Sequence, residues 1–572
     1  MDTADAMDTA DAMDTSAAAP AFIQASDPLT RLPIELLLRI TRNLNTTDLC
    51  AVRLTSRTLE RALFHSFSHE FFRRRQFMLT DFSLHTLIGI AQHPAFGATL
   101  RHVSIGLERL NLPPFQGFSR PDQAIAYQRY AMQQQSLLTT GRGVQLLAAA
   151  FARLPNLETV DIRDFCSKTR FRDGPGVHWR SYGVQHAQAQ MSDAGEPALF
   201  VTGNDPLFPS QAFTMVVAAL AQARARPRNL EVLLRTPSHG LKGVAYDLTA
   251  MPRVGGADGR FVDLFSTTTD HDHDHDHDHG AVPDAEKIAV IAGLRRLHLD
   301  CQLREHDTWF RTSFGGGGPF GGESRVKLET MAGLPLYAWL AHCHSLEELR
   351  LNLQQADVRY GGTFLDGLGK PLPLSYPSAV ITSAPSAPSA PFTARLRRLD
   401  LGRTACKYNT LMTLLRRLPA LEHLSLFNIV IHCPAADGVG VGSVVSGDDF
   451  YSSSSTAAEH PCSSIWKKLF RWLAYDPLGA QLQYVSLVNL SVDIPVNSNG
   501  HLKHHVNFGK TAKAEHRASV MEPMPAWLLS MSATARVDIA NPDRRRMAHN
   551  NAENEEDEDE DGDDDDGGGG DD

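Results

Sequence analysis

The sequence predicts an α/β chain: three short helices near the N-terminus, then a long, irregular array of helix–strand units. Three observations carry that prediction. Between Leu29 and Phe71, apolar residues recur at the 3.6-residue spacing of amphipathic helices. Beyond that stretch the pattern Leu-x-x-apolar-x-apolar returns seven times, and a second helical stripe precedes several of the copies. Between copies the composition turns to Gly, Pro, Ser and acid, the mark of long excursions from an array.

Pro33 suits the first position of a helix, where its missing N–H costs nothing. Leu36, Leu37, Ile40 and Leu44 follow it along one apolar stripe. Thr46 or Thr47 is expected to cap a second helix, with Asp48 in its first turn favourable to the dipole. Leu59, Leu63 and Phe67 repeat the helical spacing in a third. So short a segment buries little of its surface, and it expects a partner or the rest of the chain. Leu32-Pro33, Glu35, Leu36, Leu37, Ile40, Asp48-Leu49 and Val52 resemble an F-box. The Cys and Trp common in that family's third helix are replaced by Leu54-Thr55-Ser56-Arg57 and Leu59. The resemblance implies docking onto a Skp-type adaptor and, through it, a cullin scaffold. It places Leu32, Pro33, Ile34, Leu36, Leu37, Ile40, Leu44, Leu49 and Val52 against the adaptor.

The array begins at Leu100-Val103-Ile105 and continues at Leu157-Val160-Ile162, Leu294-Leu297-Leu299 and Leu346-Leu349-Leu351. Further copies stand at Leu396-Leu399-Leu401, Leu421-Leu424-Leu426 and Leu482-Val485-Leu487, with a degenerate one at Leu230-Glu231-Val232-Leu233-Leu234. The last two apolar residues of each triplet lie two apart, on one face of a strand. Helical stripes precede four copies: Val144/Leu147/Ala148/Phe151, Phe213/Val216/Val217/Leu220, Leu336/Trp339/Leu340/Cys343 and Leu411/Leu414/Leu415/Leu418. Neither element buries its apolar face alone; stacking neighbours does it. The array resembles divergent leucine-rich repeats, and the whole resembles a fungal-type F-box protein with such repeats. It departs from the regular pattern in its spacings of 25 to 73 residues. It departs again at the polar ladder position, held by Gln302, Gln354, Thr404 and Ile429. The expected architecture is an F-box followed by an irregular leucine-rich-repeat-like α/β solenoid with long disordered insertions and tails.

The expected organisation runs from a disordered acidic repeat (1–26) through the F-box (27–75) and the array (76–540) to a disordered acidic tail (541–572). Insertions are expected at 167–210, 252–284, 311–324, 370–394, 434–459 and 495–523, including the flexible GGGGPFGG and the stiffer APSAPSAP. The formal net charge of −11 conceals a basic body. Five aspartates of the N-terminal repeat, five of the His-Asp tract and fourteen acids after Ala552 account for 24 of the 66 acids, leaving 42 against 55 Lys and Arg. Such acidic runs are usually solvated, though the tail also suits a basic binding face. The N-terminus lacks the basic start and apolar middle of a signal peptide, and no apolar run is long enough to span a bilayer. Seven scattered cysteines without a CxxC pair point to a reduced compartment, cytoplasm or nucleus.

No catalytic constellation appears. Gly509-Lys510-Thr511 ends like a P-loop, but His504 stands where its first glycine belongs; Gly369-Lys370 has Phe364 there and Pro371 after. Neither a GxSxG elbow nor an HExxH helix is present. His271, His273, His275, His277 and His279 alternate with aspartates and form a row able to chelate zinc, nickel or copper, but nothing flanking them supplies a rigid second shell. The expectation is therefore no metal and no cofactor. Cys343 between His342 and His344 reads as a packed core thiol. Arg73-Arg74-Arg75 and Arg544-Arg545-Arg546 read as solvated surface, and nucleic acid is not an expected partner.

The sequence thus points to a receptor that does no chemistry, with an F-box for the adaptor and repeats for an unknown protein substrate. If the strands line a concave sheet, Asp161, Arg163, Arg296, His298, Asp300, Glu348, Arg350, Arg398, Asp400 and His423 face that substrate. The alternative is a repeat scaffold outside any ligase, its F-box-like segment closing the end of the array.

Overall fold

The structure is a computed structural model describing residues 28–110, 121–166, 171–174, 180–191, 207–236, 240–242, 245, 254–255, 261–262, 285–303, 334–356, 358–368, 392–432, 464–497, 500–508, 511–519 and 522–538. The His-Asp tract, GGGGPFGG, APSAPSAP, residues 434–459 and both acidic ends lie outside the described residues. The chain divides into two compact units: Met1–Glu70 with Lys168–His178, and Phe71–Ser167 with Trp179–Asp572.

The first unit holds α1 (Ile34–Thr41), α2 (Thr46–Thr55) and most of α3 (Arg57–Phe72). Pro33 precedes the first turn of α1, as its fixed φ favours. The cap of α2 is Asn45 rather than Thr46 or Thr47. Its Oδ1 accepts from the Asp48 N–H at 2.8 Å, and its Nδ2 donates to the Asp48 carboxylate at 2.8 Å. Thr46 is the first helical residue and its hydroxyl is used elsewhere. Leu37, Leu49, Leu59 and Leu63 are buried, while the Phe67 ring carries the Arg53 guanidinium 3.5 Å above its centre.

The second unit is built on a thirteen-stranded sheet. Strands β1 (Arg74–Met78), β2 (His102–Gly106), β3 (Thr159–Arg163) and β4 (Asn229–Leu233) run parallel in chain order. A separate two-residue pair, β5 (Val254–Gly255) and β6 (Phe261–Val262), interrupts the sequence. The parallel order resumes with β7 (Arg296–Cys301), β8 (Glu348–Ala356), β9 (Arg398–Lys407) and β10 (His423–His432), to which β11 (Tyr484–Val488) and β12 (Ser491–Asn497) both pair. Helices fill the crossovers that parallel pairing demands, among them Arg142–Phe151, Phe208–Ala223, Leu334–Ala341 and Tyr408–Arg416.

Register is strict. Val103, Val160, Leu230, Leu297, Leu349, Leu399, Leu424 and Val485 stand side by side in one row. A second row joins Ile105, Ile162 and Val232 and, beyond the end of the β4–β7 ladder, Leu299, Leu351, Leu401, Leu426 and Leu487. Both rows and all four helical stripes are buried in one hydrophobic core. Cys343, just beyond its helix, is wholly buried, and burial pushes its thiol far up from its ordinary value.

Three differences from the sequence expectation have physical causes. Leu230 takes the second place of its triplet, not the first; buried Pro227 stands in the first. Strand β1 went unrecognised because Arg75 occupies the Val103 row, its guanidinium lying between the Phe72 and Tyr182 rings at 5.4 and 5.1 Å. Residues 495–523, expected as an insertion, contain β13 (Gly500–Phe508) and β14 (Lys513–Arg517), and with β15 (Ala535–Asp538) they close that end by antiparallel pairing. In β13 His and Lys separate Leu502 from Val506 and Phe508, and β14 has no buried residue. Residues 167–210 likewise include the turn Phe171–Asp173 and the helix Val184–Met191.

Candidate functional site

Two surfaces present chemistry, one in each unit. On the helical unit Leu32, Leu36, Arg39, Ile40 and Asn43 line a shallow groove. Ile34, Leu36 and Ile40 are 40, 48 and 46 % exposed, unusual for side chains of this size. Pro33 is exposed as well, and Leu32, Leu44 and Val52 are half-buried. Leu37 and Leu49 differ from the expectation. They point inward because four buried leucines are most of the interior so small a unit has, and they are not available to a partner.

The α1–α2 junction is held by residues 127 to 131 positions further along the chain, which no local pattern announces. The guanidinium of Arg172 donates to the carbonyls of Thr41 and, at 2.6 Å, Leu44, which end α1 and its turn. Its other edge forms a two-point pair with the Glu70 carboxylate on α3, both bonds 2.9 Å. Asp173 accepts from the Thr46 N–H at 2.7 Å and the Thr46 hydroxyl at 2.6 Å. A cation thus meets orphan carbonyls at a helix C-terminus and an anion meets orphan N–H groups at the next N-terminus, as the helix dipoles favour. Only the Arg-Asp order, opposite in sign to the two ends it joins, was a signal in the sequence.

On the sheet unit, the polar residues between the leucines do share one face. Arg296, Glu348, Arg398 and His423 are aligned across neighbouring strands, as are His298, Arg350 and Asp400 with Asp161 further along. Arg163 and Asp300 lie one step beyond. Their surroundings differ sharply. Arg296, Arg350 and Arg398 are exposed, and Glu348, Asp400 and His423 half-buried. Arg296 is paired in two-point fashion with Glu348 at 2.8 and 3.0 Å, which raises the guanidinium's pKa; Arg398 is held by Asp400 at 3.0 Å.

Asp161 and Arg163 are inside, contrary to the expectation. Asp161 accepts from Arg163 Nε at 2.9 Å, Ser104 at 3.1 Å and Arg74 at 3.3 Å, and it also meets His102. Burial pushes its carboxyl up, but His102 and Arg163 outweigh that and hold it below the usual range. The turn after β3 folds back here: the Phe165 ring lies 5.2 Å from the Arg163 guanidinium and 4.0 Å from that of Arg235. These groups support the sheet and do not face a partner.

His298 and Asp300 are also buried. Asp300 accepts from the Leu234 N–H and from Asn352, each at 2.5 Å, yet burial pushes its pKa up to about 6. Burial, with Arg350 and Arg398 nearby, brings His298 down to about 3, so at neutral pH its 3.9 Å approach to Asp300 is not an ion pair. Its Nε2 has no hydrogen-bond partner. Among the described residues no three His, Cys, Asp or Glu side chains converge as a metal site, and the tract His271 to His279 lies outside them.

Residues 29–74 match the F-box-like family, so the chain carries an F-box-like domain over the span of its N-terminal helices. A domain of this kind fits a role in docking a Skp-type adaptor of ubiquitin ligases. No curated protein matches the chain.

Proposed function

We propose that the chain is the substrate-recognition subunit of a Skp-cullin-F-box ubiquitin ligase. Its F-box-like helices dock the adaptor, its polar sheet face holds a protein substrate, and the chain itself catalyses nothing. The observation that carries this reading is the exposed groove of Leu36 and Ile40 on an F-box-like domain. Each such side chain gains about 1.5–3 kcal/mol when fully buried, so the groove favours a partner over water. The in-register leucine rows, in chain order and each preceded by a helix, support reading the second unit as an irregular leucine-rich solenoid. Paired arginines and acids on its open face suit a polar protein surface better than lipid or an apolar ligand. Holding the substrate there raises its local concentration at the ligase. The scattered cysteines favour the cytoplasm or nucleus. No described helix is long and apolar enough to cross a membrane.

Affinity purification of the full chain tests the reading. The adaptor is expected to co-purify with the wild type and to be lost from a Leu36→Asp/Ile40→Asp variant whose melting temperature is unchanged. Equal retention by both, or no retention by either, favours the scaffold reading instead. Loss of substrate on Arg296→Ser/Arg398→Ser, with adaptor retained, tests the sheet face separately.

A further inference from the structure

The groove on the helical unit is carried by a helix with little of its own to hold it in place. α1 has eight residues, below the roughly 12 to 15 that an isolated helix needs in water. Its N-terminus has no side-chain cap, and of its residues only Leu37 and Thr41 are buried. Yet Leu36, Arg39 and Ile40 of α1, with Leu32 before it and Asn43 after it, line the groove. One buried leucine offsets little of the entropy lost in ordering eight residues.

The further anchor comes from outside the span that matches the F-box-like family. That match ends at residue 74, whereas the helical unit also takes in Lys168–His178. Within this segment Arg172, its side chain 10 % exposed, grips the carbonyls of Thr41 and Leu44. Thr41 directly follows Ile40, and Leu44 directly follows Asn43, so the guanidinium fixes the backbone at the C-terminal end of the groove. Asp173 holds the start of α2 through Thr46, and Glu70 on α3 holds the far edge of the guanidinium.

We infer that segment 168–178 positions α1 through Arg172, and that adaptor docking is conditional on it. Arg172 is a positioning residue: it touches no partner and acts through the helix that carries the groove. The docking module is then discontinuous in sequence, residues 29–74 completed by a segment some hundred residues later. The part that concerns the adaptor rests on the groove being the adaptor's site; the positioning of α1 does not.

The test titrates purified Skp-type adaptor against the full chain and reads amide exchange of the free chain beside it. Wild type should bind and Leu36→Asp/Ile40→Asp should not, which checks the docking reading itself. Arg172→Ala should bind about tenfold or more weakly, well below its melting temperature. In the free chain its α1 amides should exchange about tenfold or more faster, with those around Leu59 and Leu63 in α3 unchanged. Glu70→Gln separates positioning from stability. It removes the carboxylate partner of Arg172 but leaves the bonds to the Thr41 and Leu44 carbonyls. It should therefore lower the melting temperature yet weaken the adaptor less than about threefold. Bound adaptor should in turn slow exchange at Phe171–Asp173 in the wild type, since coupling is reciprocal. Wild-type affinity in Arg172→Ala, or losses in both variants that merely follow their melting temperatures, overturns the conditional docking. Unchanged α1 exchange in Arg172→Ala overturns the positioning itself, with no adaptor needed. A wild type that does not bind, with α1 exchange accelerated in Arg172→Ala, refutes the docking reading and upholds the positioning.

Discussion

The helical unit and the sheet unit dispose of apolar and polar side chains in opposite ways. In the helical unit four leucines fill the interior, Ile34, Leu36 and Ile40 face solvent, and polar groups of Arg172 and Asp173 tie the helices together. In the sheet unit two rows of Leu, Ile and Val are inside, and charge is what reaches the open face. Size explains the contrast. A module of some forty residues cannot bury much of its surface and relies on polar tethers, whereas a large sheet with helices has apolar contacts to spare. Polar residues therefore hold the first unit and are free for recognition on much of the second.

The contrast can be broken most forcefully at Asp161. Asp161→Ala leaves the buried Arg163 without its partner and should cost about 3–5 kcal/mol in urea unfolding. Asp400→Ala, whose partner Arg398 is half exposed, should cost less than about 1 kcal/mol. Equal losses would mean that the face has no buried and open halves. Next in size is Arg172→Ala, which removes a charged group bonded to two carbonyls and a carboxylate. A loss of about 2–3 kcal/mol is expected, read as faster amide exchange in α1 and α2. Arg172→Lys should recover only part of it, since an ammonium cannot reproduce the two-point pair with Glu70.

A further test concerns pH. His298 falls from 6.5 to about 3 in the folded chain, so the unfolded state takes up the proton first and this group's contribution shrinks as pH falls through that interval. Asp300 rises from 3.8 to about 6; its contribution is complete below 3.8 and is lost as pH rises through about 6. The slopes oppose each other over the overlap between 3.8 and about 6. His298→Gln removes one of them, and stability relative to wild type should then fall as pH rises across that range. An unchanged slope in paired melting curves would refute the neutral, buried imidazole.

Much of the fold was legible because it rests on periodicity. The leucine triplets and four helical stripes mark strands and helices whatever lies between them, since each must bury one face. Legibility failed where a polar residue took an apolar place, as Arg75 does by stacking on two rings, and where His and Lys mask a strand, as in β13. The candidate surfaces were legible in part. Alternation puts Arg296, Arg350 and Arg398 on a common face, but it assigns Asp161 to that face without revealing that His102, Ser104 and Arg163 enclose it.

By itself, then, the sequence determined a helical module with the F-box pattern, an array of helix–strand units built on leucine triplets, and a basic body with detachable acidic tracts. Tertiary structure alone decided which polar residues are open, and that Arg172 and Asp173 belong to the helices they clasp. The reason is physical. Periodicity is a local property of one chain segment, whereas burial, pairing and the environment of a titrating group depend on neighbours from strands and turns a hundred residues away.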